Sequence, residues 1–482
     1  MKMGLKRNFL FSSILTVSGY LFPILVYPHV ARSLRVHNIG VSNCVDSIID
    51  YFILFSMLGI STVGIREIAA AHRQREQLST AFSSLLVLGG ITTAIALIAL
   101  VVSAYTVPAL VEYRKLLLIG VVKLLGNFLM IDWFYRGLED FRYVTVRTIA
   151  VKIGFVIAVF IWVWHPDDYI TYYLLLCLMM GINAFFSCMH AASKVRFSLR
   201  GIDMSLYLKP FLIMGLYCIL NSMYTTFNVA YLGFRCGNTE VGYYTTATKF
   251  FMILIGLYTA FTTVMIPHMS TLASQGNMAE FKHMGRKAVD FLLAVGVPLV
   301  AFTCVFSTEI IALFSGDQYL PASMPARIVF PLILIIGYEQ IIIIQMLLPL
   351  KKEKAMFVGS IIGASVGLSL NLLLVSHMAS IGSAIAWIGA EIAVLISGQI
   401  FLAHYTGFRF PGAAFCRNIA SYLPLTAMLI LVWLYMPAGA FMRLLAGGSL
   451  TLVYAAAAQM LLLKNETVMG LMRHIIPALN RT

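Results

Sequence analysis

Three lysines fall inside long apolar stretches of the sequence, where an ammonium group has few partners: Lys123, Lys152 and Lys249. A charged group at the centre of a bilayer costs about 2.5–3.5 kcal/mol on insertion scales, so its presence requires compensation. Lysine binds phosphate as a point charge that needs no fixed geometry. The lysines therefore predict a cationic cavity for a phosphate-bearing ligand, with Lys123 and Lys152 facing the same cavity. The alternative is that each long side chain extends along its helix and places its charge among the lipid headgroups.

Three acidic residues also interrupt apolar stretches: Asp50, Glu339 and Glu391. Removal from water favours the protonated form of a carboxyl group, which makes these residues candidates for carrying a proton or another cation. The alternative is a structural role, in which a neutral or lysine-paired carboxyl group links two helices. Asp50 also has the simpler explanation that it faces water outside the membrane. Both glutamates belong to the second half of the chain, so they would lie opposite the lysines of the first half if the halves flank a common cavity.

Fourteen predicted membrane-spanning helices position these residues. Of the 482 residues, 60% are hydrophobic and 11% are charged, and the mean hydropathy is +0.89. A water-soluble domain has about a quarter of its residues charged, so the composition excludes that class. A helix needs about 20 apolar residues to cross the hydrocarbon core. Stretches of about this length cover residues 9–27, 45–65, 81–104, 116–133, 144–164, 169–189, 212–234, 244–266, 289–306, 328–348, 356–376, 381–401, 419–435 and 444–463.

Positive charge alternates between successive loops and predicts the topology. Of the 34 lysines and arginines, twenty-four are assigned to alternate segments on the cytoplasmic side, seven to the opposite loops and three to the interior of spans. Arg147, near the start of the stretch 144–164, is counted with the cytoplasmic loop before it. Positive residues concentrate in cytoplasmic loops, so the pattern predicts an even number of spans with both termini in the cytoplasm. The same loops account for most of the net charge of +14, and nucleic-acid binding is not expected.

The spacing of the spans indicates an internal repeat. Spans four to six begin at positions 116, 144 and 169, and spans ten to twelve begin at 328, 356 and 381, an offset of 212 residues each time. Two halves that both start inside are related by an axis along the membrane normal. We therefore predict an all-α membrane protein with two six-helix lobes related by a pseudo-twofold axis, residues 1–192 and 212–404. Residues 193–211 form a cytoplasmic linker, and residues 405–482 add two C-terminal helices and a cytoplasmic tail.

Motifs of an enzyme or of a cofactor site are absent from the sequence. The seven cysteines are scattered without a Cys-x-x-Cys pair, so neither disulfides nor a metal site are expected. A glycine-rich phosphate loop, a zinc-type histidine pair and a Gly-x-Ser-x-Gly sequence are also missing. We therefore expect a transporter without catalytic residues or a cofactor, driven by its substrate or by an ion gradient.

Three short stretches stand at the ends of the first, second and fourth predicted spans: residues 27–34 (YPHVARSL), 64–69 (GIREIA) and 132–141 (DWFYRGLEDF). They are similar to the ends of the same spans in O-antigen flippases. The chain therefore resembles the polysaccharide-transport branch of the multidrug/oligosaccharidyl-lipid/polysaccharide exporter superfamily. The resemblance implies a V-shaped cavity between two lobes and alternating access. It also implies that an undecaprenyl-pyrophosphate-linked oligosaccharide moves from the cytoplasmic to the periplasmic leaflet of a bacterial inner membrane. Arg32 and Arg66, within these motifs, are candidate phosphate contacts, and the alternative for Arg66 is a topology anchor.

The expected partners are the lipid-linked oligosaccharide, membrane lipids, a proton or another cation, and other glycan-assembly proteins. Two other functions stay open. A cation-coupled drug exporter of the same superfamily should carry acids and few lysines in its cavity, whereas the three lysines favour an anionic substrate. A membrane glycan polymerase or ligase should have a large outside loop with catalytic groups, and the predicted outside loops are short.

Overall fold

The computed structural model of the chain describes residues 2–71, 74–198, 202–437 and 439–463. These residues are helical apart from short connections, and none of them forms a β-strand. The prediction of an all-α protein is therefore confirmed. The predicted cytoplasmic tail after residue 463 lies outside the described residues.

The chain folds as two compact units, Met1–Thr245 and Thr246–Thr482. The division falls within a long helix, Asn238–Ser274, and not in the predicted linker. The predicted lobe limits at residues 192 and 212 remain a prediction.

The first unit holds ten helices and the start of the long helix at the boundary. Their bounds are α1 Lys2–Met57, α2 Ile60–Ala71, α3 Arg75–Thr106, α4 Pro108–Val111, α5 Arg114–Leu129, α6 Asp132–Gly137, α7 Phe141–Trp162, α8 Tyr169–Lys194, α9 Ser205–Ser222, α10 Thr226–Cys236 and α11 Asn238–Ser274. A short 3-10 helix, Pro166–Asp168, precedes α8.

The second unit contains the rest of α11 and seven further helices in the described part of the chain. Their bounds are α12 Met278–Val305, α13 Ser307–Ser315, α14 Ser323–Val329, α15 Leu332–Gln340, α16 Glu353–Thr406, α17 Gly412–Tyr435 and α18 Ala440–Ala457. A 3-10 helix, Asp317–Ala322, precedes α14, and π-helical segments follow α15 (Ile341–Leu347) and α18 (Ala458–Leu462).

Two of the longest helices each contain one residue with a non-helical backbone. In α1 this residue is Arg35, with φ 63° and ψ 172°, and in α16 it is Ala379, with φ 46° and ψ −124°. A positive φ is unfavourable for a residue with a Cβ, so neither residue continues a regular helix. Both breaks lie in segments that the sequence analysis assigns to loops between two spans. Each long helix is therefore two helices that meet at a predicted loop.

Ten helical stretches among the described residues are long and apolar enough to cross a membrane, or twelve if each of two bent pairs counts as one span. In these figures α1 with α2 counts once, and so does α16, although each contains a break. The multi-span membrane fold is confirmed. The number fourteen remains a prediction.

Two of the three family-like motifs pack against each other through glycines. A Cβ added to Gly64 of α2 would lie 2.6 Å from the Trp133 ring of α6, and one added to Gly137 would lie 2.7 Å from Ile68. Protein interiors are close-packed, so side chains at these glycines would push the two helices apart. The contact fixes α6 on α2 and, with it, the position of Asp132 at the first residue of α6.

Candidate functional site

A cavity of about 570 Å³ opens within the first unit, between α1, α6, α7 and α8. Small-molecule sites have roughly 300–1,000 Å³, so the cavity could take a phosphate group with part of an attached sugar. The apolar part of its wall includes Leu15, Met130 and Phe141. The polar and charged lining residues are Ser12, Thr16, Tyr20, Asp132, Arg136, Thr148, Lys152 and Asn183.

Lys152, from the middle of α7, brings a positive charge into this wall. Its side chain is half-buried, and Nζ lies 5.6 Å from the centre of the Phe22 ring on α1. Such a cation–π contact offsets part of the cost of removing the ammonium group from water. Within the described ranges, Lys152 forms no ion pair with an Asp or Glu side chain. Its charge is therefore available to an anionic ligand.

Asp132 is the carboxylate in the cavity wall, and an arginine already balances its charge. Arg147 Nη2 donates to Asp132 Oδ1 at 2.6 Å, and Arg147 Nε donates to Asn183 Oδ1 at 3.3 Å. Arg147 is only 6% exposed. Because this pair is neutral and Arg136 is an exposed cation on the same wall, the cavity has a positive net charge. Positive charge in a partly desolvated cavity favours a phosphate ligand.

Lys123 lies in a different environment from Lys152. Its Nζ donates to Asp46 Oδ1 and to Asp50 Oδ1, both at 2.6 Å. The two aspartates are one turn apart on α1, and Gly120 of α5 lets α1 approach, because a Cβ there would lie 2.5 Å from Ile49. Lys123 does not line the cavity that contains Lys152. Its role in substrate binding, like that of Asp50 in ion coupling, stays a prediction.

The two glutamates meet in the second unit. The side chains of Glu339 on α15 and Glu391 on α16 are within hydrogen-bonding reach of each other. Trp387 Nε1 donates to Glu391 Oε1 at 2.8 Å, and the buried Glu339 Oε2 accepts no hydrogen bond from a described residue. Two buried carboxyl groups in contact cannot both be ionised, because like charges at that distance repel strongly. The pair therefore holds at least one proton.

The remaining candidate residues do not line this cavity. Arg32 is exposed on α1, three residues before the break at Arg35. Arg66 is exposed on α2, and its Nη2 lies 2.9 Å from Glu67 Oε1. Lys249 is half-buried on α11 in the second unit. None of Arg32, Arg66 and Lys249 lines the cavity around Lys152.

An ion pair joins the start of α7 to the end of α8 beside the site. Asp140 accepts a hydrogen bond from the Tyr143 amide at 3.4 Å, which caps α7, and it also accepts one from Lys194 at the end of α8. Partial burial alone would raise the pKa of Asp140, but the hydrogen bond and charge of Lys194 lower that pKa below its ordinary value. The pair therefore holds the start of α7 to the end of α8.

Sequence analysis missed four residues that the structure brings into these clusters: Asp46, Asp132, Arg147 and Asn183. The spacing of Asp46 and Asp50 was an available signal, since residues four apart share one face of a helix. Arg147 was counted among the cytoplasmic loop charges, yet it is buried on α7. Its partner Asp132 lies on the preceding helix, α6, and only the tertiary fold brings the two side chains together.

The fold and the cavity together define a class: a multi-span helical membrane protein with a positively charged binding cavity, which is the architecture of a transporter. A family model described as "Polysaccharide biosynthesis protein" matches residues 5–273, and the chain belongs to this family. The predicted relationship to the polysaccharide-transport family is confirmed.

Two relatives match most of their length. A provisionally named O-antigen transporter of Escherichia coli (strain K12) is 24% identical over 398 residues, covering 82% of this chain and 95% of the relative. A protein of Shigella dysenteriae with the same name is 25% identical over 399 residues, covering 81% of this chain and 98% of the relative.

Solved structures share the fold. The lipid II flippase MurJ in an inward closed conformation has a TM-score of 0.77 at 18% identity, covering 93% of this chain and 98% of that one. An inward-facing multidrug resistance MATE family transporter of the MOP superfamily has a TM-score of 0.60 at 15% identity, covering 87% and 96%. At these identities the likeness concerns the fold.

Proposed function

We propose that this protein is a flippase that moves an undecaprenyl-pyrophosphate-linked oligosaccharide from the cytoplasmic to the periplasmic leaflet by alternating access. The observation that carries the proposal is the ammonium group of Lys152, which lines a cavity in the membrane-spanning first unit without a described carboxylate partner. Membership of the polysaccharide biosynthesis family and the O-antigen transporter names of the two relatives support it.

In this proposal the pyrophosphate binds Lys152 and Arg136, whose charges the Asp132–Arg147 pair leaves uncompensated. Lysine can follow a phosphate group as it moves, because a point charge does not impose a bidentate geometry. The sugar would contact the polar side chain of Thr148. Binding in a partly desolvated cavity strengthens the attraction between the charges.

The test is a flipping assay in proteoliposomes with undecaprenyl pyrophosphate that carries a labelled sugar. Lys152→Ala should lower the rate roughly 100-fold, the loss expected when a charge-assisted hydrogen bond worth about 2–3 kcal/mol disappears. Lys152→Arg should retain part of the activity. Lys354→Ala, which removes an exposed lysine of the second unit, is the matched control and should flip like the wild type.

An unchanged rate in Lys152→Ala would remove the assigned role of this lysine. Export of a cationic dye by the wild type, with no flipping of the labelled lipid, would favour the drug-exporter alternative. That alternative fits the positive cavity poorly, because a cationic compound would be repelled there.

The Glu339–Glu391 pair is our proposed proton site for coupling. It must release or accept a proton when its surroundings change, because a second ionised carboxyl group would be strongly disfavoured there. Because Asp50 already pairs with Lys123, the coupling proposal is built on the two glutamates, and the role of Asp50 in coupling stays a prediction. Substrate-dependent proton flux should disappear in Glu339→Gln and Glu391→Gln, and Glu353→Gln, at the start of α16, is the control. If both variants exchange protons like the wild type, the pair is structural.

We further propose that the protein resides in the bacterial inner membrane with both termini in the cytoplasm. The charge distribution between the predicted loops supports this orientation. Reporter fusions at Pro166, Asp317 and His377 should all report the periplasmic side. A cytoplasmic signal at any of these positions would invert part of the topology.

A further inference from the structure

The first unit has an apolar groove of about 470 Å³ between α7 and α8. Its wall contains no charged residue, and its large members are Phe155, Trp162, Leu175, Leu178, Met179, Ile182 and Phe186. A groove of this size can hold part of a long hydrocarbon chain, and its wall has no charged group that would bind a phosphate.

Small residues open the α7 side of the groove. Ala150, Gly154 and Ala158 follow each other at intervals of four, so they share one face of α7. Gly154 is exposed, and a Cβ added there would meet no atom within 4 Å. The space above this glycine is therefore not used by the protein itself.

The groove adjoins the cavity that contains Lys152. Met179 of α8 lines both. On α7, Val151 and Gly154 line the groove, and Lys152 between them lines the cavity. A ligand with an anionic head and a single hydrocarbon chain matches this arrangement, because its charge would bind Lys152 while its chain leaves along the helix pair.

We propose that the groove binds the polyisoprenoid chain of the lipid-linked substrate while its phosphate binds Lys152. The inference rests on the proposed flippase function and adds the site of the lipid tail. A polyprenyl phosphate has one chain, and the groove is one helix pair wide, whereas a bilayer phospholipid would bring two chains. The methyl branches of an isoprenoid chain also suit a wall that alternates aromatic rings with alanine and glycine.

The groove gains little from the hydrophobic effect, since the surrounding lipid is as apolar as its wall. Binding there depends on packing contacts, which a larger side chain would remove. We therefore expect Gly154→Leu to weaken binding of undecaprenyl pyrophosphate about tenfold, or about 1.4 kcal/mol. Leucine is a better helix former than glycine, so the substitution should not impair folding of α7.

The experiment compares two probes that share the head and differ in the chain: inorganic pyrophosphate and undecaprenyl pyrophosphate. Gly154→Leu should raise the Kd of the long-chain probe alone, whereas Lys152→Ala should raise the Kd of both. Ile153→Phe is the matched control, because Ile153 is exposed on the same helix and does not line the groove. It should leave both affinities unchanged.

The outcomes separate this inference from the proposed function. If Lys152→Ala weakens both probes and Gly154→Leu weakens neither, the tail site is wrong and the flippase proposal stands. If Lys152→Ala changes neither affinity, the proposed substrate site itself fails.

Photocrosslinking gives a second test that does not depend on affinity. A benzophenone side chain at Ile182, inside the groove, should form an adduct with undecaprenyl pyrophosphate in vesicles that also contain two-chain phospholipids. The same group at Ile157, an exposed α7 residue outside the groove, should give no polyprenyl adduct. Phospholipid adducts alone at Ile182 would overturn the proposal.

Discussion

Lys152 and Lys123 are both lysines within membrane-spanning helices of the first unit, yet their surroundings differ in the feature that decides function. The Lys123 side chain is 14% exposed and makes ion pairs with two aspartates, so carboxylates of the protein itself compensate its charge. Lys152 lines a cavity, contacts an aromatic ring and has no described carboxylate partner. The depth of a charge in the membrane therefore does not identify a ligand site. The presence or absence of an internal counter-charge separates a structural lysine from a binding one.

The largest expected effect is on the free energy of unfolding and concerns Lys123, the structural lysine of the two. Lys123→Ala would leave Asp46 and Asp50 close together without a cation, and we expect a loss of about 3 kcal/mol in the free energy of unfolding. This is the lower end for a buried pair, because Asp50 is 44% exposed. Thermal unfolding in detergent measures it. The triple variant Lys123→Ala, Asp46→Asn, Asp50→Asn should recover much of the loss, and failure to do so would separate Lys123 from the aspartates.

The second effect is the stabilisation of the folded protein by bound pyrophosphate, which should depend on Lys152. Pyrophosphate at about 100 times its Kd should stabilise the wild type by about 2.7 kcal/mol, because it binds only the folded state. Lys152→Ala should unfold like the unliganded wild type and show no such gain, whereas Lys354→Ala should keep it. A full gain in Lys152→Ala would place the phosphate elsewhere and end the contrast between the two lysines.

A smaller effect concerns the helix that carries the cavity carboxylate. Gly64→Ala should destabilise the protein by about 2 kcal/mol, since the new methyl group would overlap the Trp133 ring and displace α6. Gly154→Ala is the stability control, because its Cβ meets open space and alanine favours a helix. Equal unfolding temperatures for the two variants would mean that α2 and α6 adjust without strain.

The smallest effect concerns how stability depends on pH at the ion pair between the start of α7 and the end of α8. Lys194 lowers the pKa of Asp140 in the folded state. A group with a lowered folded pKa contributes stability above its unfolded pKa, about 3.9 for Asp, and loses that contribution as pH falls through the folded value. Asp140→Asn keeps the cap and removes the charge, so it should cost less than about 1 kcal/mol at neutral pH. The difference from the wild type should shrink below pH ~4, and a constant difference would exclude the ion pair as its source.

The composition and the lengths of the apolar stretches by themselves determined the class of this protein. In lipid, backbone N–H and C=O groups have no water to bond. A continuous apolar run of about 20 residues satisfies them within itself by forming a helix, so an all-α membrane fold followed from physical chemistry. Two predicted loops coincide with the breaks at Arg35 and Ala379, because polar segments and turns have a local signal. The motifs of residues 27–34, 64–69 and 132–141 were enough to identify the family.

Only the tertiary structure decided which charges meet. Lys123 and Lys152 have similar places in the sequence pattern, but pairing depends on residues from other helices, Asp46 and Asp50 in one case and none in the other. The sequence predicts Arg147 as a loop charge, whereas in the fold it donates hydrogen bonds to Asp132 and Asn183. Glu339 and Glu391, expected to oppose lysines of the first half, lie close to each other within the second unit. The energy between two charges depends on the distance between their side chains, and local sequence patterns do not predict that distance for residues far apart in the chain.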